Sequence, residues 1–459
     1  MKNYAIHFGT ILIFSFAFLA CEKEKLDNTP PWYDGYRWGA KYDNSMVLKW
    51  NNAISSAIDN LTPSPAESRA YAIVTLAMHD ALNNILPKYE TYALNNNIRD
   101  RKLWNAVEFT EIANAAVTIA AYDALVAVAP HWKAQADLLL DQFYAEIGYD
   151  FKEISDLTNQ GFKVGKDAAS AVLAKRKLDI TPVFTTFPQG AIPGEYKSTM
   201  PFLRANSPAW PENAVYAPDW GKNVPFGISS SKQFRPLLPY KGLMDPRYAA
   251  DYAEVKRLGC NECPGRTEEQ SEIARFFIEN SSSAINRLGR ELAVLNGLDG
   301  METARLLALS HMVVADAHIS AFEAKYFHKL WRPITAIALG DQDDNDETTG
   351  DPYWEIPKIP GIRPTPPVPA YPSSHAANGG AAAQLFKLFF GTDQMEFTVT
   401  SLSLPNVSRS YESFSQFAKD NSLSRIYAGY NFPTSVTEGE KMGREMAIYV
   451  FSSNLRVLR

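Results

Sequence analysis

Cysteine is nearly missing from this chain: 459 residues contain three, Cys21, Cys260 and Cys263. The last two form a CxxC in GCNECPGR, but a four-ligand zinc site needs two further ligands, and no second CxxC or histidine pair sits near it. In an exported chain the pair reads as a local disulfide that tightens a turn. An excess of positive charge is missing too. The net charge of -6 gives no support to a general nucleic-acid-binding surface, so a cationic site has to be local. No repeat recurs at a fixed period, and the period-two alternation of half-buried strands is almost absent. With 46% hydrophobic and 21% charged residues, the composition is that of a chain with a packed core.

What is present begins with an apolar run, Phe8 to Ala20, behind Lys2. It is too short to span a bilayer and has the length of a signal-peptide core. Cys21 follows Phe-Leu-Ala, resembling a bacterial lipobox, so residues 1–20 are expected to be a lipoprotein signal peptide and Cys21 the lipid-bearing residue. Residues 21–45 then read as a tether, and the protein as exported and lipid-anchored at a bacterial cell envelope.

Helical periodicity marks Ala66–Leu86, Asn105–Val128, Trp132–Ile147 and Ser155–Arg176, so residues 46–178 are expected to form an N-terminal helical bundle. Residues 179–247 are irregular and rich in Pro, Gly and aromatics, a length of loop that usually serves a site. Residues 248–459 form a second helical domain, with helices expected at Glu268–Leu288, Gly300–Lys329, Ser374–Phe390, Ser410–Lys419 and Ser435–Ser452. The fold class is therefore all-α, with two packed helical bundles. His79, His131 and His311 lie in or beside apolar helical sequence and read as structural histidines.

Three segments of the second half carry chemistry. In AKYFHKLWRPITAI, Lys325 and Arg332 stand seven residues apart, nearly two helical turns, so both cations can face one way with an anion between them. By spacing alone, a solvated basic face fits as well. In YPSSHAANGGAAAQLF, Ser373 or Ser374 caps a helix whose free N–H groups and dipole favour an anion, with His375 in its first turn as an acid or base. By itself that segment also fits an ordinary serine cap and a surface histidine. In SRIYAGYN, Arg425 adds a cation and Asn431 follows six residues later.

Together these segments resemble the PAP2 superfamily, which joins vanadium-dependent haloperoxidases to histidine acid phosphatases and lipid phosphatases. Its pattern of K-x6-RP, PSGH and SR-x5-H is met by Lys325 to Pro333, by Pro372 to His375, and by Ser424-Arg425 with Asn431. Weaker resemblance to soluble bacterial haloperoxidases runs upstream through RAYAIVTLAMHDALNNI. The resemblance implies that Lys325, Arg332 and Arg425 clamp the oxygens of vanadate or a phosphoryl group. It also implies that Ser373 donates its hydroxyl, Ser374 its backbone N–H, and that His375 is the acid or base. It makes vanadate a candidate cofactor. The expected partners are phosphate, vanadate or a phosphorylated small molecule, and a membrane through the lipid, but no nucleic acid.

Where the family has a histidine, either phosphoryl acceptor or vanadium ligand, this chain has Asn431. An amide nitrogen, its lone pair delocalised, neither attacks phosphorus usefully nor coordinates as imidazole does. Two readings follow: a degenerate member that binds an oxyanion without turnover, or a phosphatase or haloperoxidase active despite Asn431. His318 and His328 flank the lysine motif, but neither spacing places an imidazole at the missing position. A glycan-binding helical lipoprotein is a third reading, and it predicts none of the three motifs.

Overall fold

A computed structural model describes residues 42–59, 63–95, 105–146, 155–205, 210–358, 360 and 362–458. The signal peptide, Cys21 and most of the expected tether lie outside these residues. The described chain belongs to one unit, Trp38–Leu458, and Tyr42 is already buried in it.

The first bundle consists of α1 (Ser45–Ile58), α2 (Ser64–Ile85), α3 (Ala106–Val128), α4 (Lys133–Glu146) and α5 (Asp156–Lys175). Side-chain caps set two of these starts. Asn105 forms a reciprocal box with Glu108, and Ser155 accepts from Thr158 N–H. Strands β1 (Phe184–Thr186) and β2 (Ala214–Tyr216) form a short antiparallel ladder in the irregular connection. Next come α6 (Pro246–Leu258), α7 (Glu268–Phe276), α8 (Ser281–Leu295), α9 (Gly300–His328), α10 (Pro333–Ala338) and α11 (Ser374–Phe390). A hairpin of β3 (Gln394–Thr400) and β4 (Ser408–Ser413) leads to α12 (Phe414–Tyr427) and α13 (Pro433–Ser453). The second bundle packs α11 against α9, α12 and α13.

Helix α9 joins the bundles, packing on α2 on one side and on α8, α11 and α13 on the other. It is buried almost all round from Gly300 to Lys325, which is why its sequence shows no single apolar stripe. Asp316 on this helix accepts the backbone N–H groups of Phe226, Gly227 and Ile228 at 2.5, 2.7 and 2.9 Å, fastening the irregular connection to the core. Asp80 on α2 does the same for Tyr92, Ala93 and Leu94. Buried carboxylates that cap loop amides in this way are structural.

Two expected helices need correction. Glu268–Leu288 is two helices, because the chain turns at Phe277–Asn280 and Ser281 starts a new one. Ser410–Lys419 begins as strand β4, and the helix starts at Phe414 under a Ser413 cap. Strand β3, QMEFTVT, carries a short burial alternation that a reading tuned to helical period passes over. Cys260 and Cys263 form the expected disulfide.

Close packing of α11 on α13 sets the position of the second motif. A methyl group on Gly443 would lie 1.9 Å from Ala377 O, and one on Gly439 would lie 2.4 Å from Ser373 O. Only glycine lets these backbones approach so closely. Gly443→Ala is therefore expected to cost about 3 kcal/mol in urea denaturation. An unchanged midpoint would mean that the two helices are not held at this distance.

Candidate functional site

The three expected cations come together at the end of α9, in the turn after it and near the end of α12. Lys325, Arg332 and Arg425 are 1%, 2% and 5% exposed, and among the described residues none has a carboxylate within ion-pair distance. Their visible partners are mostly carbonyls. Lys325 Nζ donates to Pro369 O at 2.8 Å and Ala370 O at 3.3 Å. Arg332 donates from Nε to Val368 O at 2.7 Å and from Nη1 to Tyr430 O at 2.8 Å. Arg425 donates from Nη2 to Phe277 O at 2.6 Å and from Nε to Ser424 Oγ at 3.0 Å. Carbonyls orient the cations without neutralising them.

Donors are left over. A guanidinium has five N–H groups, and each arginine here uses two of them. Among the described residues Arg332 Nη2 and Arg425 Nη1 take no partner, and neither is sealed in the interior. Burial, and then the charge of Arg332, hold Lys325 well below the usual lysine range. Burial lowers Arg332 and Arg425 to about 10 each. A site that strains three cations in this way is short of negative charge.

The proline-braced loop delivers Ser373 as N-cap of α11, its Oγ accepting from Ala376 N–H at 3.3 Å. Ser374 is the first helical residue, so its N–H has no acceptor within the helix. His375 follows, its Nδ1 lying 2.9 Å from Ser281 Oγ at the start of α8. Ser281 Oγ has no other hydrogen-bond partner among the described residues, and we assign its hydroxyl hydrogen to Nδ1 and the imidazole proton to Nε2. Nε2 itself is buried and unpartnered. Burial, then Arg425 and His318, keep His375 well below its ordinary range, so at neutral pH it is an uncharged Nε2–H donor. Nitrogen-detected NMR of His375 is expected to show that tautomer from roughly pH 6 to 8, without a titration near the ordinary 6.5. A midpoint there, or a proton on Nδ1, would refute the assignment.

Asn431 is 4% exposed and shares the acceptor Ala370 O with Lys325. Its Nδ2 donates to Ala370 O at 2.7 Å and to Ser435 Oγ at 3.4 Å, while Ser435 Oγ also donates to Ala370 O at 2.6 Å. The other described histidines are committed elsewhere. His328 Nε2 is 3.0 Å from Pro236 O. His318 sits between Val314 O, 3.2 Å from Nδ1, and Asn378 Nδ2, 3.1 Å from Nε2. His311 stacks on Tyr71, His79 is buried on α2, and His131 meets Ala57 O. Sequence reasoning missed Ser281 and Phe277, which belong to no motif and reach the site only through folding. Tyr196, near Arg332, was missed for the same reason, and Tyr430 was passed over although it stands inside the third motif.

Residues 305–459, carrying all three motifs, match the family described as the VCPO second helical-bundle domain. A bacterial vanadium-dependent iodoperoxidase superposes with a TM-score of 0.69 over 92% of this chain and 99% of its own, at 20% identity. The fold is that of the vanadium haloperoxidases. A bacterial vanadium-dependent chloroperoxidase in its holo form agrees, with a TM-score of 0.64, 17% identity, and coverage of 90% of this chain and 98% of its own. Vanadium chloroperoxidase of Curvularia inaequalis is 25% identical over 412 residues, spanning 76% of this chain. The match takes in 66% of that relative's length, just under two thirds.

Vanadate fits this site in one respect and fails in another. The buried cations and helix N-terminus suit a tetrahedral oxyanion. Among the described residues no cluster of three His, Cys, Asp or Glu is placed to hold a metal cation. The side chain at position 431 offers no imidazole to coordinate vanadium.

Proposed function

We propose that this protein binds a tetrahedral oxyanion without forming a bond to it, as an exported lipoprotein held at a bacterial envelope through Cys21. Phosphate, vanadate and the phosphoryl group of a small molecule share the required chemistry. The observation that carries the reading is the buried group of Lys325, Arg332 and Arg425 with no carboxylate partner among the described residues. Uncompensated buried charge is costly, and an anion of two or more negative charges relieves it. Backbone N–H groups of α11 and the Nε2–H of His375 supply further donors.

Binding that stabilises only the folded state must raise thermal stability, by about 2.7 kcal/mol at a hundred times Kd. Phosphate and vanadate are thus expected to raise the melting temperature with dose, and chloride at equal ionic strength is not. Absence of any shift, with no heat of binding in calorimetry, would refute the pocket.

A second reading, an active phosphatase or haloperoxidase, draws support from His375, whose free Nε2–H has the form of a general acid. Hydrolysis of a chromogenic phosphate ester, or halide oxidation with vanadate and peroxide, that survives Asn431→Ala would favour it. The glycan-binding reading gains nothing from buried cations.

A further inference from the structure

The groups at the pocket divide unevenly into donors and acceptors. Lys325, Arg332, Arg425, the Ser373 hydroxyl, the Ser374 N–H and the His375 Nε2–H all donate. Oδ1 of Asn431 can only accept. The amide cannot be turned to present its nitrogen instead, because Nδ2 is held 2.7 Å from Ala370 O, a carbonyl that can only accept. Oδ1 diverges from that contact, receives no hydrogen bond, and is not sealed in the interior.

We infer that Asn431 makes the pocket selective for inorganic oxyanions that carry a hydroxyl, phosphate foremost, over oxyanions of similar shape that carry none, such as sulfate. The inference rests on the oxyanion reading above and narrows it. Inorganic phosphate keeps at least one P–OH near neutral pH, and that hydroxyl donates to Oδ1. Sulfate and the dianion of a phosphate monoester have only acceptors, so they set lone pair against lone pair at Asn431. A buried polar group left facing the wrong partner weakens binding more than a missing contact does. Vanadate, as its protonated forms, falls on the same side as phosphate.

Calorimetry on the whole chain near pH 7 tests this with phosphate, sulfate and methyl phosphate. The wild type is expected to bind phosphate at least about tenfold more tightly than either of the others. In Asn431→Leu, of similar size and without an acceptor, the ratio is expected to fall toward one because sulfate gains. Sulfate binding within about twofold of phosphate in the wild type would overturn the inference and leave the pocket standing. If neither anion binds, pocket and inference fall together. Should the leucine variant fail to fold, the wild-type ratio decides alone.

Discussion

In Lys325→Met, phosphate is expected to bind at least about a hundredfold more weakly, while the ligand-free protein melts no lower than the wild type. Two unit charges about 4 Å apart attract by about 4 kcal/mol at an effective dielectric of 20. Each 1.4 kcal/mol is about tenfold in affinity, so losing one cation removes two to three decades. Without ligand the sign differs. The ammonium is withdrawn from water and sits beside Arg332, with no carboxylate to answer it. Methionine has similar length and removes that cost of several kcal/mol. Against this, Pro369 O loses its 2.8 Å donor, a loss of about 1–3 kcal/mol. Ala370 O keeps Asn431 and Ser435. Differential scanning fluorimetry with and without phosphate, beside calorimetry, reads both halves. Wild-type affinity in the variant would remove Lys325 from the pocket, and a large drop in ligand-free stability would show that its charge is satisfied within the fold.

Asn431→His is expected to raise hydrolysis of a chromogenic phosphate ester by at least about a hundredfold. In well-studied enzymes, loss of a covalent nucleophile costs on the order of 10^6, so restoring one has room to act even in imperfect geometry. The surroundings favour the useful tautomer. Ala370 O, which now receives the Asn431 amide, would accept a hydrogen bond from one imidazole N–H and leave the other nitrogen with its lone pair free. His375 is already a neutral Nε2–H donor, the form needed to protonate a leaving group. Initial rates for wild type, Asn431→His, and Asn431→His with His375→Ala check the idea. Equal rates in the first two would show that more than the side chain at 431 separates this pocket from a phosphatase.

The cations were legible because their spacing is local: Lys325 and Arg332 are fixed by one helix and the turn that follows it. Ser373 was legible because proline bracing and an N-cap leave a sequence signature. Ser281 was not, since a serine at the start of a helix is an ordinary cap until the fold lays it 2.9 Å from His375, 94 positions away. The break at Phe277–Asn280 was hidden for a related reason, as apolar residues continue across it in helical register. Helices α1 and α6 were not picked out as separate elements, although nearly all of each falls inside a stretch assigned to a helical bundle. The side chain of Asn431 stood out at once as a departure, but which of its ends is tied down became clear only from Ala370 O.

Helix α9 also acts as a gauge. Asp316 fastens the irregular connection at one level, and Lys325 meets the proline loop nine residues later, about 14 Å along the axis. Both ends are anchored to backbone that cannot follow a shift. A single inserted or deleted residue between them would swing Lys325 about 100° around the helix, out of reach of Pro369 O. Substitutions in this interval can be absorbed one by one, whereas a change in its length cannot, so the stretch from Asp316 to Lys325 should be the least permissive of insertions in the chain.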